Sequence, residues 1–257
     1  MDPYFFLRFS LQCMGGVLDD DRFDSCDKIK ITKEEIESFI LECHKKQQLT
    51  AEKLIKKYGE KMTVLEGKKV LFVGDSLTTD RLGYRGIITK AARLNSKNVS
   101  YSGATSVDMY RYLYGHIIDF EPEIISVMIG TNDAMGHCGK NRESIVSKDE
   151  YRRNIRGILE SSKQSGARVL ITTIPQLDEE AFLQTSDVRI MKNDDKNIAE
   201  YNKIVRKEAI AAGVELIDLE STLKEISKRG IYEPDGIHLS TEGQEILADL
   251  WLEKALY

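Results

Sequence analysis

Short apolar segments alternate along residues 67–257 with longer stretches whose apolar residues recur at helical spacing. The apolar segments are rich in β-branched residues, and they cover residues 70–73, 98–101, 124–129, 169–174 and 214–219. Strands that alternate with helices predict a parallel sheet covered on both faces, and continuous apolar strands fit burial on both faces. We therefore predict an α/β fold, a three-layer flavodoxin-like domain with a five-stranded parallel sheet.

The helical stretches carry recognisable start signals. Ser147 and Glu150 form a capping-box pattern that predicts a helix running to about Ser165. Residues 195–212 have apolar positions on one helical face, and Thr241 is predicted to cap the last helix. These helices are expected to cover the sheet.

Residues 1–66 have a different pattern and are predicted to form a helical N-terminal extension to the main domain, 67–257. Thr32 and Glu35 form a capping box, and apolar residues then follow at helical spacing. Thr50 is predicted to cap a second helix that stops at Gly59. The extension is a candidate lid, or a candidate surface for a protein partner or for self-association.

Composition and charge limit the function classes. The chain has 257 residues, of which 41% are hydrophobic, so it can bury a substantial core and is not predicted to be disordered. The formal net charge of −5 argues against a nucleic-acid-binding protein, which usually carries a basic face. Apolar runs of about 18 residues are lacking, so no membrane span is predicted.

The cysteines and the first residues indicate a cytoplasmic protein. Cys13, Cys26, Cys43 and Cys138 show no C-x-x-C spacing and are expected to be reduced thiols. His137 and Cys138 are neighbouring potential ligands, but no second pair follows at ligand spacing, and we predict no metal site. The N-terminus lacks the basic start, unbroken apolar stretch and small-residue cleavage site of a signal peptide.

Unusual polar sequences follow three of the predicted strands, and a fourth precedes the last helix. They are Gly74-Asp75-Ser76-Leu77, Ser100-Tyr101-Ser102-Gly103-Ala104-Thr105, Gly130-Thr131-Asn132-Asp133 and Asp235-Gly236-Ile237-His238. In open parallel sheets, ligands bind beyond the carboxyl ends of the strands. These four segments are therefore the place to look for chemistry.

Acyl transfer by serine needs a hydroxyl, a base that deprotonates it and a group that orients the base. Ser76 lies where a strand turns into a helix, and His238 is a suitable base because histidine exchanges protons near neutral pH. Asp235 precedes His238 by three residues, close enough to hold its imidazole. Oxyanion donors would be the backbone amides of Ser76 and Gly103 and the side-chain amide of Asn132.

In these four blocks the chain resembles the SGNH hydrolases, also called GDSL esterases/lipases, over residues 67–257. The resemblance implies Ser76 as nucleophile, Asp235 and His238 as the other triad residues, and Gly103 and Asn132 as oxyanion donors. It implies ester hydrolysis without a metal or a cofactor. Ser76 does not lie in a Gly-x-Ser-x-Gly sequence, which argues against the α/β-hydrolase fold.

The function predicted from these residues is a serine-dependent carboxylic-ester hydrolase that acts on small-molecule esters, with short-acyl or acetyl esters favoured. Two alternatives stay open at this point. An acyltransferase would use the same triad with another acceptor, and a non-catalytic binding protein could share the flavodoxin-like fold. Loops at 134–148 and 176–194 are expected to shape the substrate pocket.

Overall fold

The computed structural model describes residues 7–8, 32–136, 143–185, 193–226 and 230–257. Within these ranges, five strands form an all-parallel sheet in the order β2-β1-β3-β4-β5. The strands are β1 Lys69–Gly74, β2 Asn95–Asn98, β3 Ile124–Met128, β4 Arg168–Thr172 and β5 Glu215–Ile217. The predicted α/β fold with a five-stranded parallel sheet is confirmed.

Helices connect and cover the strands. Before the sheet come α1 Lys33–Tyr58 and a 3₁₀ helix, Gly59–Leu65. The remaining helices are α2 Ser76–Thr79, α3 Tyr84–Ala91, α4 Ser106–Phe120, α5 Thr131–Ala134, α6 Lys148–Gln164, α7 Glu179–Thr185, α8 Asp195–Ala212, α9 Leu219–Lys224 and α10 Thr241–Leu256. The structure thus has the helix starting at 148 and the helix over 195–212 that the sequence predicted.

The three layers follow from the direction in which the chain crosses the sheet. From β1 the chain steps to β2 on one side, then returns past β1 to β3, β4 and β5. Because crossovers between parallel strands are right-handed, this reversal places α3 on one face and α4, α6 and α8 on the other. Helices α4, α6 and α8 pack side by side, and α10 packs against α3.

The central strands are buried on both faces. Phe72 of β1 and Trp251 of α10 are fully buried, with ring centroids 6.1 Å apart. The Trp251 indole Nε1 donates a hydrogen bond to Ser126 Oγ of β3 at 3.0 Å. This bond satisfies a donor that burial would otherwise leave unpaired.

Residues 33–58 form one long helix, so the prediction of a second helix capped by Thr50 is wrong. Thr32 and Glu35 form the predicted capping box, and α1 then runs unbroken to Tyr58 and ends at Gly59. Neither glycine nor proline interrupts residues 33–58. Thr50 is buried inside the helix, so its side chain packs instead of capping.

Helix α1 packs against α3, and its buried face joins the core of the sheet domain. Ala51, Leu54 and Tyr58 belong to the same hydrophobic cluster as the strands of the sheet. The helical character predicted for the N-terminal region is confirmed for residues 33–65. The boundary between a 1–66 extension and a 67–257 domain stays a prediction.

The second strand and the start of the last helix also differ from the sequence prediction. The second strand lies at Asn95–Asn98 instead of 98–101, and it pairs with β1 from Lys69↔Asn95 to Phe72↔Asn98. This strand is polar because it is an edge strand and is only partly buried, so the apolar pattern did not reveal it. The last helix is capped by Ser240, whose side chain accepts from Gly243 N, and not by Thr241.

Candidate active site

The carboxyl ends of β1 and β3 meet where the strand order reverses. These two strands are neighbours in the sheet, yet the chain leaves them in opposite directions. Such a switch point opens a crevice beyond the strand ends and is the usual ligand site of this architecture. Ser76 follows β1, and Asn132 follows β3, so both lie at this crevice.

Ser76 is the first residue of the short helix α2 and is 7% exposed. Asp75 caps the helix, with its Oδ1 accepting from the Leu77 amide at 3.0 Å. A side chain at Gly74 would place Cβ 2.3 Å from Thr78 Oγ1 and 2.4 Å from Met128 O. Glycine is therefore required there for the tight turn that presents Ser76.

His238 and Asp235 reach the crevice from the turn before α10. His238 Nε2 lies 2.8 Å from Ser76 Oγ, and His238 Nδ1 lies 2.5 Å from Asp235 Oδ2. Asp235 Oδ1 accepts from the amides of Ile237 and His238, each at 3.0 Å. The structure thus brings the three residues predicted for a triad into one hydrogen-bonded chain.

The charge on Asp235 favours one tautomer of His238. Burial alone would raise the pKa of this carboxyl, but the hydrogen bonds and charge of His238 and the two turn amides lower the pKa below its usual value. An ionised Asp235 accepts a hydrogen bond from His238 Nδ1–H. The Nε2 lone pair is then left facing the Ser76 hydroxyl, as a general base requires.

Backbone and side-chain amides are available beside Ser76. Among the described residues, neither the Ser76 nor the Gly103 amide donates a hydrogen bond within the protein. Gly103 has φ 80°, a conformation that favours glycine. Asn132 Nδ2 donates to Ala104 O at 2.9 Å, which ties it to the Gly103 loop and leaves its second N–H unused by that bond.

A buried polar network that the sequence analysis did not identify fixes the Asn132 loop. Asp133 is fully buried, and its carboxylate accepts from the Ser106 amide at 2.9 and 3.0 Å and from the Ser106 hydroxyl. Asn154 of α6 donates to the same hydroxyl at 3.0 Å. Asp133 thus fastens the segment after β3 to the start of α4, next to Gly103. In the sequence, the only sign of this role was that Asp133 directly follows Asn132.

Two buried carboxyls near the site, those of Asp75 and Asp133, make the stability of the fold depend on pH. Burial raises the pKa of Asp75 to about 7 and the pKa of Asp133 to about 6, from values near 3.8. Between about pH 4 and pH 7 the folded protein therefore holds more protons than the unfolded chain, and stability falls as pH rises. We expect Asp75→Asn, which keeps an acceptor for Leu77, to weaken this decline.

Urea unfolding at pH 5 and pH 8 measures the effect. The free energy of unfolding of the wild type should fall relative to that of Asp75→Asn as the pH is raised. The exposed Asp119 provides the matched control, because Asp119→Asn should leave the wild-type pH dependence unchanged. Parallel pH profiles for Asp75→Asn and wild type would contradict the raised pKa of Asp75.

Parts of the loops predicted to shape the pocket, 137–142 and 186–192, lie outside the described residues, as do His137 and Cys138. In the ranges that are described, no three His, Cys, Asp or Glu side chains are grouped so that they could hold a metal ion. The described helices likewise include none that is long and apolar enough to cross a membrane.

Solved structures share this architecture. The chain matches the acetyl xylan esterase AlAXEase with a TM-score of 0.57 and 21% identity, covering 72% of this chain and 98% of that one. It matches the acetylxylan esterase Axe2 of Geobacillus stearothermophilus with a TM-score of 0.58 and 21% identity, covering 75% and 95%. It matches a lipase/acylhydrolase from Enterococcus faecalis with a TM-score of 0.59 and 19% identity, covering 74% of this chain and 95% of that one.

Sequence comparison extends the likeness. The chain is 26% identical over 180 residues to the uncharacterized lipoprotein YqeF of Bacillus subtilis strain 168, covering 60% of this chain and 70% of that protein. Because this relative is a lipoprotein, the cytoplasmic location stays a prediction. The model of the GDSL-like lipase/acylhydrolase family matches residues 72–246, which include Ser76, Gly103, Asn132, Asp235 and His238. The chain belongs to the GDSL-like lipase/acylhydrolase family.

Proposed function

We propose that the protein is a serine-dependent carboxylic-ester hydrolase that works through an acyl-enzyme on Ser76. The observation that carries this proposal is the hydrogen-bonded chain from Asp235 through His238 to Ser76, with 2.5 Å and 2.8 Å between the joined atoms. Its position beyond the carboxyl ends of β1 and β3 agrees with the ligand site of such sheets. Family membership supports an acyl-ester substrate.

Acylation begins when Ser76 Oγ attacks the ester carbonyl while His238 Nε2 takes the hydroxyl proton. The carbonyl oxygen becomes an oxyanion, and Asp235 stabilises the imidazolium that forms. When the tetrahedral intermediate collapses, the bond to the leaving alcohol breaks, and His238 returns its proton to that alcohol. The product of this half-reaction is an ester of Ser76.

Deacylation uses the same groups with water in place of Ser76. His238 removes a proton from water, which attacks the acyl carbonyl of the Ser76 ester. Collapse of the second intermediate breaks the bond to Ser76 Oγ, which recovers its proton from His238. The acid is released, and the hydroxyl and the neutral imidazole are restored.

The oxyanion would be bound by the Ser76 and Gly103 amides and by the free N–H of Asn132 Nδ2. Such donors act strongly because they are fixed before charge develops. The bond from Asn132 to Ala104 O supports this role, because it holds the side-chain amide in place at 2.9 Å. Asp133 would act indirectly, by fastening the loop that carries Asn132.

Asn132→Ala is expected to lower kcat by about 10²–10³-fold, because one oxyanion donor is lost while the triad stays intact. Steady-state hydrolysis of p-nitrophenyl acetate measures this change. Asn197→Ala is the matched control, since Asn197 Nδ2 also donates to a backbone carbonyl, that of Ala134, at 2.7 Å. An unchanged kcat in Asn132→Ala would contradict the assignment of the oxyanion donor.

For the acyl group we propose acetyl or another short chain. Support comes from the structural neighbours that are acetyl xylan esterases, which share the fold at 21% identity. A panel of p-nitrophenyl esters from acetate to decanoate tests the choice. We expect kcat/KM to be highest at two to four carbons, and a maximum at eight or ten carbons would overturn the short-acyl proposal.

Labelling with a fluorophosphonate tests the reaction class directly. The reagent phosphonylates an activated serine, and we expect one adduct per chain on the tryptic peptide 70–81, in which Ser76 is the one serine. Denatured protein is the control, because unfolding destroys the activation of Ser76 by His238. Folded protein that neither reacts with the reagent nor hydrolyses any ester of the panel would overturn the proposed function.

A further inference from the structure

Arg8, in the N-terminal extension, is buried among carboxylates of the main domain. Its side chain is 6% exposed. Nε and Nη2 donate to the two carboxylate oxygens of Asp80 at 3.1 and 2.6 Å, Nη1 donates to Glu233 Oε1, and Nη2 also donates to Leu239 O at 3.2 Å. Arg8 therefore contacts two segments of the main domain that are about 150 residues apart.

The first segment is the turn that carries Ser76. Asp80 ends helix α2, and its amide donates to the carbonyl of Ser76 at 3.1 Å. Asp80 is fully buried, and its Oδ1 also accepts from the Leu82 amide at 2.9 Å. The main chain is joined as well, because the Arg81 amide donates to Arg8 O at 2.8 Å. The Arg8–Asp80 pair is thus attached to the nucleophile's own helix.

The second segment is the turn that carries Asp235 and His238. Glu233 and Leu239 stand at its two ends, and Tyr232 bridges to Leu239 in antiparallel fashion. The Glu233 amide donates to His238 O at 2.8 Å. By binding the Glu233 carboxylate and the Leu239 carbonyl, Arg8 holds both ends of the turn.

We propose that Arg8 is a positioning residue that holds the Ser76 helix and the 233–239 turn in register. This inference rests on the proposed function, since its purpose is the 2.8 Å contact between His238 Nε2 and Ser76 Oγ. Arginine suits the task because its planar guanidinium presents five donors in a fixed fork. On this reading Arg8 belongs to the support of the hydrolase site, although it lies in the region predicted to be an N-terminal extension.

The charges around Arg8 agree with a permanent link between the Ser76 helix and the 233–239 turn, which we call the Arg8 clamp. Burial acts to lower the pKa of its guanidinium, but the charges and hydrogen bonds of Asp80 and Glu233 hold the pKa above its usual value. A second link joins the Ser76 helix to the helix that follows the turn, since Gln244 Nε2 of α10 donates to Asp80 Oδ2 at 3.2 Å. Loss of Arg8 should therefore loosen the two segments without separating them.

The test compares full-length Arg8→Met and Arg8→Lys with Arg168→Met. Arg168 is the matched control because it binds both carboxylate oxygens of Glu215 and the carbonyls of Lys254 and Ala255, at the opposite end of the sheet. Removing the Arg8 guanidinium leaves the buried Asp80 carboxylate without its arginine partner, which destabilises the fold. The double variant Arg8→Met/Asp80→Asn removes that charge and serves where Arg8→Met does not fold.

Three readouts are taken on folded protein: kcat and KM for p-nitrophenyl acetate, the rate of fluorophosphonate labelling, and hydrogen exchange in residues 76–82 and 230–240. Misplacement of reacting groups by about 1 Å can cost about 10²-fold. We expect Arg8→Met to lower kcat and the labelling rate by about that factor with KM unchanged, and to speed exchange in both segments. Arg8→Lys should lose less, and Arg168→Met should retain the wild-type kcat.

Arg8→Met or the double variant, folded and labelled at the wild-type rate, would overturn the clamp even if hydrogen exchange changes. The proposed function is judged separately, by whether wild type reacts with the fluorophosphonate at all. If wild type does not react with the fluorophosphonate, hydrogen exchange alone tests whether Arg8 holds the two segments together. Faster exchange in residues 76–82 and 230–240 of Arg8→Met than of Arg168→Met supports it, and equal exchange overturns it.

Discussion

Replacing Ser76 with alanine is expected to lower kcat for p-nitrophenyl acetate by about 10⁶-fold, because no acyl-enzyme can form without the Oγ nucleophile. The methyl group of alanine fits the space of the hydroxymethyl group, so the fold should be retained. Intact mass after fluorophosphonate treatment should show no adduct on this variant. Oxyanion donors and binding would still give a small residual rate over water.

Ser161→Ala provides the matched control for this loss. Ser161 lies in the last turn of α6, just before the chain enters the amino end of β4, whereas the crevice that holds Ser76 lies at the carboxyl ends of the strands. Ser161→Ala should be labelled by the fluorophosphonate as wild type is, and its kcat should equal that of wild type. Hydrolysis by Ser76→Ala within tenfold of wild type would show that another group attacks the ester, and the mechanism proposed for Ser76 would then be wrong.

The sequence predicted best the central strands of the sheet, whose residues are buried along almost their whole length. β1, β3 and β4 are buried on both faces, so they appear as runs that are apolar almost throughout, and polar motifs directly follow β1 and β3. Ser76 and Asn132 could be identified because each follows such a strand directly. Asp235 and His238 could be paired because three residues separate them within one turn.

What the sequence did not reveal depends on contacts between distant residues. β2 is the polar edge strand Asn95–Asn98, and no apolar run marks it. Asp133 binds Ser106 at 27 residues' separation, and Arg8 binds Glu233 at 225. A charge pattern along the chain does not say which carboxylate an arginine will meet, so these positioning contacts emerged only from the fold.

Asp235→Asn is expected to lower kcat by about 10⁴-fold while leaving the geometry of the turn nearly unchanged. The carboxylate of Asp235 accepts a hydrogen bond from His238 Nδ1–H at 2.5 Å. An asparagine amide can instead donate to Nδ1, which places the imidazole proton on Nε2. That nitrogen then faces Ser76 Oγ with a hydrogen and cannot take the serine proton.

The measurement is kcat from pH 6 to pH 9 for wild type, Asp235→Asn and the control Asp218→Asn. Asp218 likewise accepts a backbone amide through its carboxylate, that of Ser221, but it does so as the cap of α9 after β5, so asparagine there should cost little activity. The Asp235 carboxyl is held ionised by a lowered pKa, so its loss should be felt across this whole range. A loss below about tenfold would mean that another group orients His238, and the Asp235 role would have to be abandoned while Ser76 and His238 could stand.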